Sequence, residues 1–504
     1  VKGLSDRDRF EAHLQRLGCP LPLLDPDDAA AHLGRPWSVG NGPRARRVGN
    51  RWAVLPMEGW DGTPDGRPTE LVRRRWRRFG RSGAATIWGG EAVAVRPDGR
   101  ANPRQLCAGP HLAADLVTLR DEILAGRREV GLGPDGLLVG LQLTHSGRWA
   151  RPHGTPAPRT AYRHPLLDAR VGAGAGQVLS DTELDDLLAA YATTAAAAAE
   201  AGFDFVDVKA CHGYLVHELL SAHDRPGPYG GDLAGRSRFL RRALGAVRDA
   251  APGLTLGVRL SAFDVVPHRP GPDGRGVPET DGPYRYAFGG DGTGHGVDLT
   301  EVHALCRMLV AEGVRLLCVT AGSPYTCPHV QRPAYFPPSD GYRPPRDPLC
   351  EVHRLVTVTA TLAAAHPELV VVAGGLSYLQ EWLGAVAGGL VAEGAATVVG
   401  YGRGVLAYPE LCGDVLAGRP LDRGRLCRTF SDCTTAPRNG LVSGCYPLDP
   451  FYRDRPERAA LARHKRAARA ALGGGAGPDP AGDSEQHGDG TGDAGTGPGG
   501  GGGA

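Results

Sequence analysis

Short apolar runs recur along the chain, and most are followed by longer stretches in which apolar positions return every three or four residues. The runs are "RWAVLP" (51–56), "ATIWGG" (85–90), "GLLVGLQL" (136–143), "FDFVDV" (203–208), "LTLGVRL" (254–260), "VRLLCVT" (314–320), "ELVVVAGG" (368–375) and "ATVVGYG" (396–402). Between them lie amphipathic stretches such as "TELVRRRWRRFG" (69–80), "DTELDDLLAAYATTAAAAAEAG" (181–202), "LTEVHALCRMLVAEG" (299–313) and "LQEWLGAVAGGLVAEG" (379–394). Near-continuous apolar strands alternating with amphipathic helices predict a parallel sheet covered by helices. Eight such units between residues 46 and 426 predict an α/β fold of the closed (β/α)8 TIM-barrel type rather than an open doubly wound sheet. The longest connections follow the fifth run (264–296) and the sixth (323–348), where they would hang over the C-terminal mouth of a barrel.

The flanks differ in composition. Residues 1–45 are rich in proline and arginine and read as an N-terminal extension that wraps the barrel. Residues 427–472 form a cysteine-containing C-terminal segment, and 473–504 are nearly half glycine with no large apolar residue, which predicts a disordered tail. The basic stretch "ERAALARHKRAARAAL" (457–472) reads as a solvated helix face.

Apolar residues make up 41% of the 504 positions, enough for a sizeable core, and the net charge of +2 gives no pull toward nucleic acid or anionic membranes. The longest apolar runs fall far short of a membrane span. The opening "VKGLSDRDRF" lacks the apolar core of a signal peptide. Eleven cysteines, an odd number scattered through a long chain, fit reduced thiols in a cytoplasm better than a disulfide framework.

The chemistry sits where the strands end. In a barrel these positions converge on one mouth, and here they read "PMEG", "GGEA", "QLTHSGR", "KACHGY", "RLSAFD", "TAGSP", "GG" and "GYGRG" in chain order. Bare backbone N–H groups and an arginine after the seventh and eighth runs suit a phosphate group. After the fourth run, Lys209, His212 and Tyr214 are spaced by three and two where a strand hands over to the helical spacing of "LVHELL". Two other glycine clusters, "RVGAGAGQ" (170–177) and "GYGRGV" (400–405), do not open a complete βαβ unit with an acidic partner, which argues against a fixed dinucleotide domain.

Taken together, "CHGYLVHELLSAH…GPYGGDLAGRSRFL", "LQLTHSGR", "VLPMEG", "IWGGEAVAVRPDGR" and "VVAGGL…ATVVGYGRGVLAYPEL" resemble, in order and over residues 50–415, the signature segments of the Old Yellow Enzyme family of FMN-dependent oxidoreductases. The resemblance implies FMN as cofactor and NADH or NADPH as a transiently docked reductant. It implies an α,β-unsaturated carbonyl as the small-molecule acceptor, and leaves a homo-oligomer open. By the same resemblance Pro56, Met57 and Ala92 would meet the isoalloxazine edge. Gln142 would pair with its pyrimidine part, Arg259 would face N1 and O2, and Gly374, Gly375, Gly402 and Arg403 would cradle the phosphate. His212 and Lys209 would hold the substrate carbonyl oxygen, and Tyr214 would give the proton.

This chain also departs from the family. Lys209 stands where most relatives have His, so its ammonium could grip a carboxylate, polarise a carbonyl, or point away. Glu58 stands where relatives place Cys or Thr beside the flavin. Cys427, Cys433 and Cys445 keep the last interval of the C-x2-C-x3-C-x11-C cluster motif of longer relatives, but one cysteine is missing. A degenerate iron–sulfur site, a zinc site and three vestigial thiols are the readings that remain. Two other functions stay open: an amine dehydrogenase or demethylase, and a non-catalytic flavin-binding redox module.

Overall fold

The eight apolar runs form eight parallel strands whose ladder closes on itself. The structure, a computed structural model, describes residues 1, 3–40 and 45–471; the glycine-rich tail expected at 473–504 lies outside the described residues. The strands are β1 (Trp52–Val54), β2 (Thr86–Ile87), β3 (Leu138–Thr144), β4 (Phe205–Ala210), β5 (Thr255–Ser261), β6 (Val314–Thr320), β7 (Val370–Ala373) and β8 (Val398–Tyr401). Each pairs in parallel with its sequence neighbour; β8 pairs with β1 through Val399 and Trp52, and β2 pairs with β3 through Thr86 and Leu138. The expected TIM barrel is therefore closed. A further short strand, Ala92–Ala94, lies beside the C-terminal half of β3 and carries Ala92 to the mouth, level with Gln142.

Helices cover the outside, among them Glu70–Gly80, Asp181–Glu200, Thr300–Ala311 and Leu383–Ala392. The Asp181–Glu200 helix begins at a reciprocal cap, in which the Ser180 hydroxyl accepts from the Glu183 N–H while the Ser180 N–H donates to the Glu183 carboxylate at 2.8 Å. Among the described residues no helix is long and apolar enough to cross a membrane.

The barrel interior is layered. In the lower layer the Phe205 ring lies across Gly140, where a side-chain carbon would sit 2.2 Å from it, and Trp88 meets Phe205 edge-on at 5.1 Å. Beneath them an antiparallel hairpin, Trp37–Val39 with Arg46–Val48, adds Trp37, Val39 and Val48 to the same apolar cluster and plugs the N-terminal end. Above Phe205 the interior turns polar with Asp207, Gln142, Lys209 and Arg259. The strand register puts Gln142 beside Asp207 and Lys209 beside Arg259.

Two flanking segments complete the molecule. At the N-terminal end, the helices Arg7–Leu17 and Pro26–Leu33 reach the segment after β7, where Phe10 stacks on Trp382 at 4.8 Å. At the C-terminal end, residues 427–471 cross the mouth, held by Arg74, which grips Asp449 through two hydrogen bonds of 2.9 Å, and by the Trp60 N–H donating to Ser443 Oγ at 3.0 Å.

Candidate active site at the barrel mouth

The stretch after β4 shows why Lys209, His212 and Tyr214 are spaced as they are. β4 ends at Ala210, and the chain then takes two consecutive left-handed residues, His212 (φ 65°) and Gly213 (φ 75°). Glycine is required at 213, since a side-chain carbon there would meet Ser323 Oγ at 3.0 Å and Trp149 Nε1 at 3.1 Å. A non-glycine residue in this conformation costs about 1–3 kcal/mol and needs external support. Here the His212 N–H donates to Ser261 Oγ at 3.1 Å, and Ser323 Oγ donates to the His212 carbonyl at 2.9 Å. The corner reverses the chain so that Tyr214 caps the helix Leu215–Leu219 with its ring over the Lys209 ammonium, 3.7 Å from Nζ to the ring centroid.

Tyr214 is the hub of a polar group. Its hydroxyl donates to Glu58 Oε2 at 2.6 Å and lies 3.3 Å from the Tyr325 hydroxyl, and Tyr325 in turn stacks on Trp149 at 4.4 Å. Lys209 Nζ is 3.8 Å from the same Glu58 oxygen, within ion-pair range but beyond hydrogen-bond length. Burial, reinforced by Glu58, raises the Tyr214 phenol well above its ordinary range. Burial lowers the Lys209 ammonium, with Glu58 opposing. His212 faces the β6 side, with Nε2 at 3.3 Å from both Thr320 Oγ1 and Gln331 Nε2. Burial, then Arg259 and Lys209, holds its imidazole well below the usual range, so it is neutral.

The floor is a hydrogen-bonded triad. Gln142 Nε2 donates to Asp207 Oδ2 at 2.6 Å and Trp88 Nε1 donates to the same oxygen at 2.8 Å, so the Gln142 carbonyl is left for the cavity. Arg259 is 7% exposed, donates to the Pro56 carbonyl at 3.3 Å, and has no carboxylate within 4 Å among the described residues. At the opposite end Gly375, Ser377, Gly402 and Arg403 line the cavity. Arg403 donates to Thr434 Oγ1, and desolvation with its neighbours Arg332 and Arg438 pushes it down to about 9. Arg438 is paired with Asp340, whereas Arg403 and Arg332 have no carboxylate within 4 Å among the described residues, and guanidinium groups so placed suit an anion.

All the flavin- and substrate-site residues read from the sequence line this one cavity except Gly374. Gly374 is set back in the wall, where a side-chain carbon would meet the Val319 carbonyl at 2.7 Å, so it serves strand packing. Cys433 lines the cavity beside Arg403, while Cys427 and Cys445 lie behind it with thiols raised by burial. Among the described residues no group of three or more His, Cys, Asp or Glu side chains is arranged to hold a metal ion, these cysteines included.

Sequence reasoning missed Asp207, Tyr325, Trp149, Arg332 and Arg438. Asp207 had a signal, as the inward-facing acid in the otherwise apolar β4. Tyr325 and Arg332 belong to a loop without periodicity, and Arg438 to a segment read only for its cysteines.

Residues 46–271 match the NADH:flavin oxidoreductase / NADH oxidase family. The NADPH dehydrogenase of Bacillus velezensis is 29% identical over 242 residues, covering 47% of this chain and 65% of the relative, and the NADPH dehydrogenase of Bacillus subtilis is 32% identical over 201 residues, covering 39% and 54%. The matched region thus spans less than two thirds of either relative. Among solved structures, a 2-naphthoyl-CoA reductase superimposes with a TM-score of 0.63 at 19% identity, over 84% of this chain and 57% of that one. The old yellow enzyme homologue from Zymomonas mobilis does so with a TM-score of 0.52 at 19% identity, over 77% and 94%. Those two likenesses speak for the fold, and the sequence match carries the kinship: over residues 46–271 the chain is similar to the NADH:flavin oxidoreductase / NADH oxidase family, the Old Yellow Enzyme family.

Proposed function

We propose that this protein is an FMN-dependent oxidoreductase that takes hydride from NADH or NADPH and passes it to an α,β-unsaturated carbonyl acceptor. The observation that carries the reading is the convergence of Gln142, Arg259, Lys209, Tyr214 and Arg403 on one cavity at the C-terminal ends of the strands. The residues fit the cofactor. Arg259 is a buried guanidinium without a carboxylate partner among the described residues, and its Nε makes no hydrogen bond. Arg403 sits among like charges that a phosphate would offset. Pro56, Met57 and Ala92 would hold the ring edge, Gln142 and Arg259 the pyrimidine end, and Gly375, Gly402 and Arg403 the phosphate. When bound, the flavin supplies the hydride chemistry.

The chain's own residues do the rest. Lys209 and His212 hold the acceptor's carbonyl oxygen, each such donor contributing about 2.7–4 kcal/mol as charge develops there. Tyr214 holds the proton destined for the α-carbon, and its bond to Glu58 keeps the phenol oriented. The amine-oxidising alternative is disfavoured by Lys209, whose ammonium already fills the cation position formed by Glu58 and the Tyr214 face. Eleven free thiols suit a reducing compartment such as the cytoplasm.

The test is to purify the protein, record its absorbance spectrum, and follow NADPH and NADH oxidation with and without cyclohexenone. A yellow protein whose turnover rises with the enone is expected. A colourless protein that cannot take up FMN would end the proposal, and reduction by amines without enone turnover would replace it with the amine reading. Acceptor-independent behaviour would point to a redox module. Iron and zinc assays on the same sample decide the role of Cys427, Cys433 and Cys445.

A further inference from the structure

The chain meets its need for positive charge almost wholly with arginine: of 57 basic residues only Lys2, Lys209 and Lys465 are lysines. Lys465 lies on the C-terminal helix and bonds Asp432 at 2.7 Å, as a surface lysine does. Lys209 is different, being 5% exposed in the centre of a cavity otherwise furnished with Arg259, Arg332, Arg403 and Arg438. A guanidinium at 209 would supply a cation and a two-pronged grip on a carbonyl oxygen. What it cannot supply is a lone pair.

The surroundings bring the free amine within reach of the ammonium that rests against Tyr214 and Glu58. Nζ makes no hydrogen bond among the described residues, and its one ion pair, to Glu58, is loose at 3.8 Å. Desolvation is the largest influence on it and lowers the ammonium, the nearby Arg259 charge acts the same way, and Glu58, Cys211 and Asp207 oppose. A desolvated lysine beside another cation is a recognised form of activated amine nucleophile. A proton donor stands next to it in Tyr214, backed by Glu58 at 2.6 Å.

We infer that Lys209 forms a Schiff base with the carbonyl carbon of an unsaturated aldehyde, so that this acceptor is reduced as an iminium. The inference rests on the reading of the cavity as the acceptor site. The Nζ lone pair forms the C–N bond while the carbonyl pair moves to oxygen. That oxygen takes one proton from the amine and one from Tyr214 and leaves as water. Hydride, drawn from NADH or NADPH by the proposed activity, adds to the β-carbon and turns the iminium into an enamine. A proton from Tyr214, restored through Glu58, goes to the α-carbon, and water then hydrolyses the saturated iminium to the aldehyde, the free amine and a proton, which returns to the Tyr214–Glu58 pair.

The test uses the oxidised flavoprotein as purified, without nicotinamide, treated with 3-phenylpropanal and sodium cyanoborohydride. This saturated aldehyde cannot undergo conjugate addition, so a covalent adduct reports an imine. Peptide mapping should find the adduct on Lys209 ahead of Lys465, with loss of that adduct in Lys209→Arg and Lys209→Met. No adduct on Lys209 in the unaltered protein would overturn the inference. As a second readout, Lys209→Arg should lose more turnover with cinnamaldehyde than with β-nitrostyrene, which has no carbonyl to condense. Equal losses would also overturn it. A protein that forms the adduct but reduces neither acceptor would keep the Schiff base and remove the ene-reduction reading, so the two failures are separable.

Discussion

The Gln142 amide N–H donates to the Asp207 carboxylate at 2.6 Å across the β3–β4 ladder, and that one bond decides which end of the amide faces the cavity. Asp207 is fully buried and its acidity is reduced by burial, so the barrel tolerates a costly group there in order to orient a neighbour. Hydrogen bonds to charged groups are worth about 1.5–3 kcal/mol. Asp207→Asn should therefore weaken FMN binding about tenfold or more, measured by titrating the apoprotein with FMN and following flavin fluorescence. Unchanged affinity would show that Gln142 does not need this anchor.

Gly140 faces the Phe205 ring so closely that no side chain fits between them. Overpacking of this kind costs about 1–3 kcal/mol or more. Gly140→Ala should lower the free energy of unfolding, read from denaturant titration, by that amount, and a second change, Phe205→Leu, should recover part of it. Additive losses in the double variant would mean that the two positions are independent.

Asp264 carries a pH signature. Its carboxylate accepts from the Val265 N–H at 2.8 Å and the Cys327 thiol at 3.1 Å, and burial raises its pKa to about 6, with Arg354 opposing. The folded chain thus holds a proton there that the unfolded chain has already released above pH ~4. Stability from this residue is present below that point and is lost as the pH rises to about 6. Asp264→Asn, which cannot ionise, should be nearly neutral at pH ~4 and stabilising at pH ~8 by on the order of 1–3 kcal/mol. Thermal unfolding of both proteins across that range checks the sign.

Lys209 Nζ lies between Glu58 and the Tyr214 ring and should keep other cations out of that position. Lys209→Met leaves Glu58, Tyr214 and Tyr325 facing an unfilled cation position, and cation–π contacts are worth about 0.5–2 kcal/mol. Tetramethylammonium should then bind about tenfold more tightly than to the parent protein, read from perturbation of the flavin spectrum. Equal binding would mean that the amine reading had been set aside for the wrong reason.

The barrel was legible because its signal is periodic. The run at 203–208 contains most of β4, and the run at 314–320 coincides with β6. The floor hairpin was not, since Trp37–Val39 is too short to show a period and sits in a segment read only as an extension. Among the site residues, those on strand ends were placed together by sequence reasoning. The partner of Glu58 was not foreseen, because Tyr214 lies 156 residues away and barrel closure alone brings them together. Tyr325 and Arg332 escaped for a related reason: their loop takes its shape from the elements it rests on, not from a pattern of its own.

The hairpin plug beneath Phe205 bears on kinetics. With the lower end of the barrel stoppered by Trp37, Val39 and Val48, a bound flavin would be approachable from one direction only. Reductant and acceptor would then have to take turns at a shared doorway. Such an enzyme releases its oxidised nicotinamide before the second partner can enter, and each partner in excess obstructs the other.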